Sequence, residues 1–163
     1  MSVLIKILNV LYRVELLSEN FIPMKNIAFT CVDRFIDLGQ TDQTAIHWLD
    51  HDLKETRLTY GEIQRASNRI ANLLRSCGIQ KGECVSIFLP RSPELVTSFF
   101  AILKLEALAC ILFSTFGESA LLDRLADSRT RIIITKKSLL NRIKKIAGEL
   151  KDLTRVLVID SEE

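Results

Sequence analysis

From Thr59 onward the chain alternates short apolar runs with longer stretches of helical period, and few folds accept that order. Thr59 stands three residues before Glu62, the spacing of a capping box, and Ile63, Ala66, Ile70, Ala71, Leu73 and Leu74 then keep a helical period up to Cys77-Gly78. Cys84–Leu89 is a mostly apolar run with the character of a strand covered on both sides, stopped by Pro90. The alternation continues with a helix from about Pro93 to Leu105, strand Leu108–Phe113, helix Ser119–Ser128, strand Arg131–Thr135, helix Ser138–Leu150 and strand Arg155–Ile159. Strands separated by helices predict an α/β fold, a mostly parallel sheet with helices on its faces.

Ahead of this region, Asn26 is placed to cap a helix through Leu38 that ends at Gly39. Thr44–Leu49 and Thr56–Thr59 flank the polar turn Asp50-His51-Asp52 and read as a hairpin. No Gly/Ser/Pro-rich linker divides residues 26–159, so one domain is expected there. In Met1–Leu17 the polar Ser2, Lys6, Asn9 and Arg13 recur on one side of a helix, and Lys6 and Arg13 break any secretory apolar region. An amphipathic helix packed on a partner or on the domain is favoured over one lying on a membrane surface. The apolar stretch from Leu95 to Phe116 carries Lys104 and Glu106 at its centre, where each charge costs about 2.5–3.5 kcal/mol in a bilayer, so a buried helix followed by a buried strand is expected.

Several chemistries are excluded. The net charge of +2 is too even to suggest nucleic-acid binding. Cys31, Cys77, Cys84 and Cys110 have no CxxC spacing and lie far from His47 and His51, and Cys77, Cys84 and Cys110 sit among apolar neighbours, so reduced, buried thiols in a cytoplasmic protein are expected and no metal site. The six glycines are too scattered for GxGxxG or a Walker loop, and GxSxG is absent. The residues by themselves yield a fold class and no mechanism.

The segments Leu58-Thr-Tyr-Gly-Glu-Ile63, Ser67-Asn-Arg-Ile-Ala-Asn-Leu-Leu74, Gly78-Ile-Gln-Lys-Gly82, Val85-Ser-Ile-Phe-Leu-Pro90 and Pro93-Glu-Leu95 follow one another in an order that resembles the opening of AMP-forming acyl-CoA synthetases. The likeness continues through Ala101-Ile-Leu-Lys104, Phe113-Ser-Thr-Phe-Gly117, Asp123-Arg-Leu-Ala-Asp127 and Ile132-Ile-Ile-Thr135. Asn26-Ile-Ala-Phe29, Val32-Asp-Arg34 and Pro90-Arg-Ser-Pro-Glu94 make acetyl-CoA synthetases the most similar subgroup. The chain departs from that pattern at Glu106, where the family generally has Gly, and at Glu83-Cys84, which replaces Asp-Arg.

The resemblance implies part of the N-terminal domain of an adenylate-forming ligase: residues 1–25 as an amphipathic lead-in and 26–163 as an incomplete domain. The family uses ATP, Mg and CoA to make an acyl-adenylate and pass the acyl group on. Its phosphate loop, adenine and ribose contacts, hinge and catalytic lysine would lie beyond residue 163, so this chain alone is expected to bind no cofactor and to be inactive. Its partner would be the remainder of the ligase or a full-length homologue, with self-association as a further expectation. Near the family's CoA-phosphate segment stand Asn141, Arg142, Lys144 and Lys145, and Phe116 lies near the CoA adenine position. Against that, Leu139, Leu140, Ile143 and Ile146 have helical spacing, which makes the basic residues an ordinary solvated face, and Phe116 an ordinary core aromatic. A non-enzymatic scaffold, or the remnant of a decayed ligase gene, is the alternative.

Overall fold

The computed structural model describes residues 26–160, so the expectation of an amphipathic helix at 1–17 lies outside the described residues. The chain divides into two compact units, Met1–Ala66 and Ser67–Glu163.

In the first unit Asn26 caps as expected: its Oδ1 accepts from the Ala28 and Phe29 amides at 2.7 and 3.3 Å. The helix it starts is not uniform. Phe29–Asp33 is π-helical and leads into α1 (Arg34–Asp37), which ends at Gly39 with φ 75°. Strands β1 (Thr44–Leu49) and β2 (Glu55–Thr59) pair antiparallel. Their turn is fixed by Asp50, whose Oδ1 accepts from the amides of Asp52 and Lys54, each at 2.9 Å. The first turn of α2 (Tyr60–Ser76) is held by the capping box: Thr59 Oγ1 accepts from the Glu62 amide at 3.2 Å, and Glu62 Oε2 accepts from the Thr59 amide at 2.8 Å. Tyr60 stacks on Phe35 with ring centroids 4.2 Å apart. Gly61 is required by close approach, because a Cβ there would stand 2.6 Å from Thr41 Cγ2.

The second unit is built on a parallel four-stranded sheet in the order β4-β3-β5-β6. The strands are β3 (Cys84–Leu89), β4 (Leu108–Phe113), β5 (Ile132–Thr135) and β6 (Arg155–Val158). Every residue of β3 and β5 is buried, so both strands are covered on both faces. On one face Val85, Ile87, Leu89, Ile132 and Ile134 pack with Leu74 of α2 and Ile102 of α3 (Pro93–Lys104). On the other, Phe88, Leu112 and Ile133 pack under Leu121 and Leu125 of α4 (Glu118–Asp127) and Ile143 and Ile146 of α5 (Leu140–Ile146). The expected helix Ser138–Leu150 is instead three pieces, with 3-10 turns Lys137–Leu139 and Ala147–Glu149 on either side of α5. Gly148 weakens a longer α-helix, and the tighter turn delivers Leu150 to the core.

Four helices end in the same way. The amide three residues beyond the helix reaches back to a carbonyl five positions earlier, from Gln40 to Phe35, Ile79 to Leu74, Ala107 to Ile102 and Thr130 to Leu125. This Schellman geometry needs a left-handed residue just before that amide. Gly39 and Gly78 supply it freely, whereas Glu106 (φ 55°) and Arg129 (φ 49°) adopt it under strain. The structure thus gives a physical meaning to the departure at Glu106. Its side chain forms an exposed ion pair with Lys81, and its carbonyl accepts from the Gly82 amide at 3.0 Å.

Two outcomes follow from these helix ends. Glu106→Gly removes left-handed strain worth about 1–2 kcal/mol, less the unfolded-state entropy that glycine adds, and raises the thermal midpoint in calorimetry. The Thr59 amide and hydroxyl hold the Glu62 carboxyl below the ordinary carboxylate range. That contribution is therefore full above the ordinary range and lost as pH falls through the lowered folded value. Acid titration of helicity will show the wild type losing its advantage over Glu62→Gln in that window.

Candidate functional site

In the sheet order, β4 lies on one side of β3 while β5 and β6 lie on the other, so the chain reverses its winding direction at β3. In open α/β sheets of this kind ligands bind beyond the carboxyl ends of the strands, beside such a reversal. The carboxyl ends of β3 and β5 are tied together by Thr135, whose hydroxyl donates to the Phe88 carbonyl at 3.0 Å. Ser92 is the N-cap of α3 directly after β3, with Pro93 in the first turn.

The segment after β4 carries the richest chemistry at this end. Arg142 of α5 reaches across to it, its Nη1 donating to the Ser114 carbonyl at 2.6 Å and the Phe116 carbonyl at 3.2 Å. Arg124 of α4 lies over the Phe116 ring, 4.4 Å from the centroid, and Phe113 meets the same ring edge-on at 5.4 Å. Lys145 donates to Glu118 Oε1 at 2.5 Å, bridging α5 to the start of α4.

Three of the four expected site residues, Phe116, Arg142 and Lys145, therefore converge on one short stretch of backbone, residues 114–118. Lys144 is exposed on α5, and Asn141 is exposed beside it. Arg142 is half-buried and one face of its guanidinium is committed to carbonyls, so it first holds the loop and only then presents positive charge outward. Phe116 is half-buried, packed against the core cluster of Phe88 and Leu112 and touched by Phe113 and Arg124. Sequence reasoning missed Arg124 and Glu118. Their signal was the spacing of α4, which places Arg124 one turn beyond Ala120, whose carbonyl accepts from Arg124 Nη1 at 3.0 Å.

Metal-ligating side chains come together in one group of three among the described residues, Asp50, His51 and Asp52. The Asp50 carboxylate there is already engaged by the hairpin turn. All four cysteines are free thiols. Cys84 is buried as expected, but Cys77 and Cys110 are only half-buried and Cys31 is exposed.

A doubly wound α/β layer with its charged and aromatic residues gathered after the strands belongs to the open-sheet class that binds ligands at that end. The family profile described as AMP-binding enzyme matches residues 37–163. The acetyl-coenzyme A synthetase of Bacillus subtilis is 35% identical over 138 residues, which cover 84% of this chain and 24% of that protein. The acetyl-coenzyme A synthetase of Mycolicibacterium smegmatis is 32% identical over 136 residues, covering 83% of this chain and 14% of that one. A crystal structure of an anthranilate CoA ligase in complex with anthranoyl-AMP superposes with a TM-score of 0.73 at 29% identity, covering 82% of this chain and 25% of that one. The chain belongs to the AMP-binding enzyme family, and it spans less than a quarter of the length of these two synthetases.

The role of Arg142 is measurable. Arg142→Ala leaves two carbonyls without their charged donor, at a cost of about 1–3 kcal/mol, and hydrogen exchange will rise locally across residues 114–118. Arg142→Lys, with a single point donor in place of a planar fork, will restore only part of the protection.

Proposed function

We propose that the chain is the N-terminal part of an acetyl-CoA-synthetase-like, AMP-forming acid–CoA ligase, and that it supplies part of the CoA-binding surface rather than the adenylation machinery. The observation that carries this reading is the convergence of Phe116, Arg142 and Lys145 after β4 in a chain of the AMP-binding enzyme family. In this reading Lys144 and the outward edge of the Arg142 guanidinium meet CoA phosphates, and Phe116 offers a ring face to adenine. Arg124 and Lys145 position that surface through Phe116 and Glu118.

The sequence has no glycine-rich phosphate loop, so adenylation from ATP and Mg requires donors from the rest of the ligase polypeptide. Each such donor is worth about 3–4 kcal/mol of barrier. We place the assembly in the cytoplasm. No helix of the described residues is long and apolar enough to cross a membrane.

A second reading, a non-enzymatic scaffold that binds a full-length homologue, is favoured by β4. Leu108, Ile111 and Phe113 on this edge strand are all exposed. An apolar edge of this kind seeks a covering chain.

Calorimetric titration separates the two readings. The 163-residue chain will be titrated with CoA and with ATP, alone and mixed with a polypeptide covering the remaining length of an acetyl-CoA synthetase. The ligase reading expects CoA binding and acetate-dependent pyrophosphate release in the mixture alone, with Lys144→Ala weakening CoA and sparing ATP. Pyrophosphate release by the chain alone overturns its dependence on a partner. Complex formation with no nucleotide binding leaves the scaffold.

A further inference from the structure

The register of the sheet brings together two thiols that are distant in sequence. Cys84 pairs with Leu108 and Ser86 pairs with Cys110 across parallel β3 and β4. Cys84 and Cys110 therefore lie on the same face, one diagonal step apart. The face is the one under α4 and α5, where Cys110 packs against the cluster of Phe88 and Leu112.

Hydroxyls surround this pair. Cys84 Sγ is 3.8 Å from Thr130 Oγ1, which in turn is 2.7 Å from both Ser86 Oγ and Ser128 Oγ. Cys84, Ser86 and Thr130 are all buried, so a polar cluster interrupts an otherwise apolar layer. The neighbouring Cys110 holds the pKa of the Cys84 thiol below its ordinary value against the opposing effect of burial, and Cys84 together with burial pushes the pKa of Cys110 up. A cavity of about 420 Å³ opens onto this place, lined by Glu83, Cys84, Leu108, Ser128, Arg129 and Arg131 among others.

The geometry selects among thiol chemistries. Strands about 4.8 Å apart and a two-residue step of about 6.6 Å place diagonal Cα atoms roughly 8 Å apart. A disulfide needs less than about 7 Å, so direct oxidation would require the backbone to move. A bridging atom meets no such obstacle. Zinc asks for four ligands, commonly Cys and His, whereas a soft monovalent ion is satisfied by thiolates.

We propose that Cys84 and Cys110 form a two-thiolate site for a soft monovalent metal ion, Cu(I), entered through the cavity beside Cys84. Binding forms two copper–sulfur bonds. Each thiol bound in its protonated form gives its proton to solvent, and the metal stays Cu(I) throughout. The neighbouring hydroxyls of Ser86, Ser128 and Thr130 donate to the bound sulfurs.

The test is an anaerobic competition between the full 163-residue chain and a chromogenic Cu(I) chelator. Wild type will retain one equivalent of Cu(I) against the chelator, as will the Cys31→Ser/Cys77→Ser double variant. Cys84→Ser and Cys110→Ser will each lose it, with circular dichroism reporting whether each remains folded. X-ray absorption of wild type loaded with one equivalent provides a readout that needs no variant, and two sulfur scatterers are expected. Failure of wild type to retain copper overturns the proposal, as does retention by either folded single variant or a coordination shell without two sulfurs.

Discussion

Strand β3 is buried along its whole length, and most of the second unit follows from satisfying it. An extended segment with apolar side chains on both faces must be hydrogen-bonded on both edges and roofed on both faces. The edges are supplied by β4 and β5, and the roofs by α2 and α3 on one side and α4 and α5 on the other. Each crossover must then leave a helix and re-enter the sheet within a few residues. The repeated Schellman ends are how the chain makes that turn, and the strain at Glu106 and Arg129 is the cost of making it without glycine.

The same demand builds the candidate site. Because α5 must cover β5 and β6, Arg142 emerges beside the end of β4, where the Ser114 and Phe116 carbonyls point away from any strand partner. A guanidinium satisfies both from one side chain, which a lysine cannot do with the same geometry. The loop that displays Phe116 is thus held by a residue that is itself a candidate for meeting an anion.

Local signals made most of the fold legible. The Thr59–Glu62 spacing announced the start of α2, the apolar run Cys84–Leu89 announced a covered strand, and Pro93 announced α3. The π-helical turn at Phe29–Asp33 was not legible, because one extra residue per turn leaves no mark in an apolar period that still buries Ala28 and Val32. The break-up of 138–150 was hidden for a related reason: Leu139, Ile143 and Ile146 keep helical spacing even though the backbone tightens on both sides of them. In the candidate site, Arg142 and Phe116 were accessible only through resemblance to a family, since neither stands in a motif with a mechanism of its own. Their meeting depends on strand order, as does that of Cys84 with Cys110, and strand order is not written in any local pattern.

Strand β4 is six residues long and carries no charge, no proline and no bulge, the devices by which sheet edges are usually blunted. Such an edge is a template with a waiting time. While it stays uncovered, every encounter with a second extended segment competes with folding, and that competition scales with concentration. A bare edge of this kind makes the survival of a chain depend on its concentration and on chaperone capture, and not on the equilibrium stability of the fold alone.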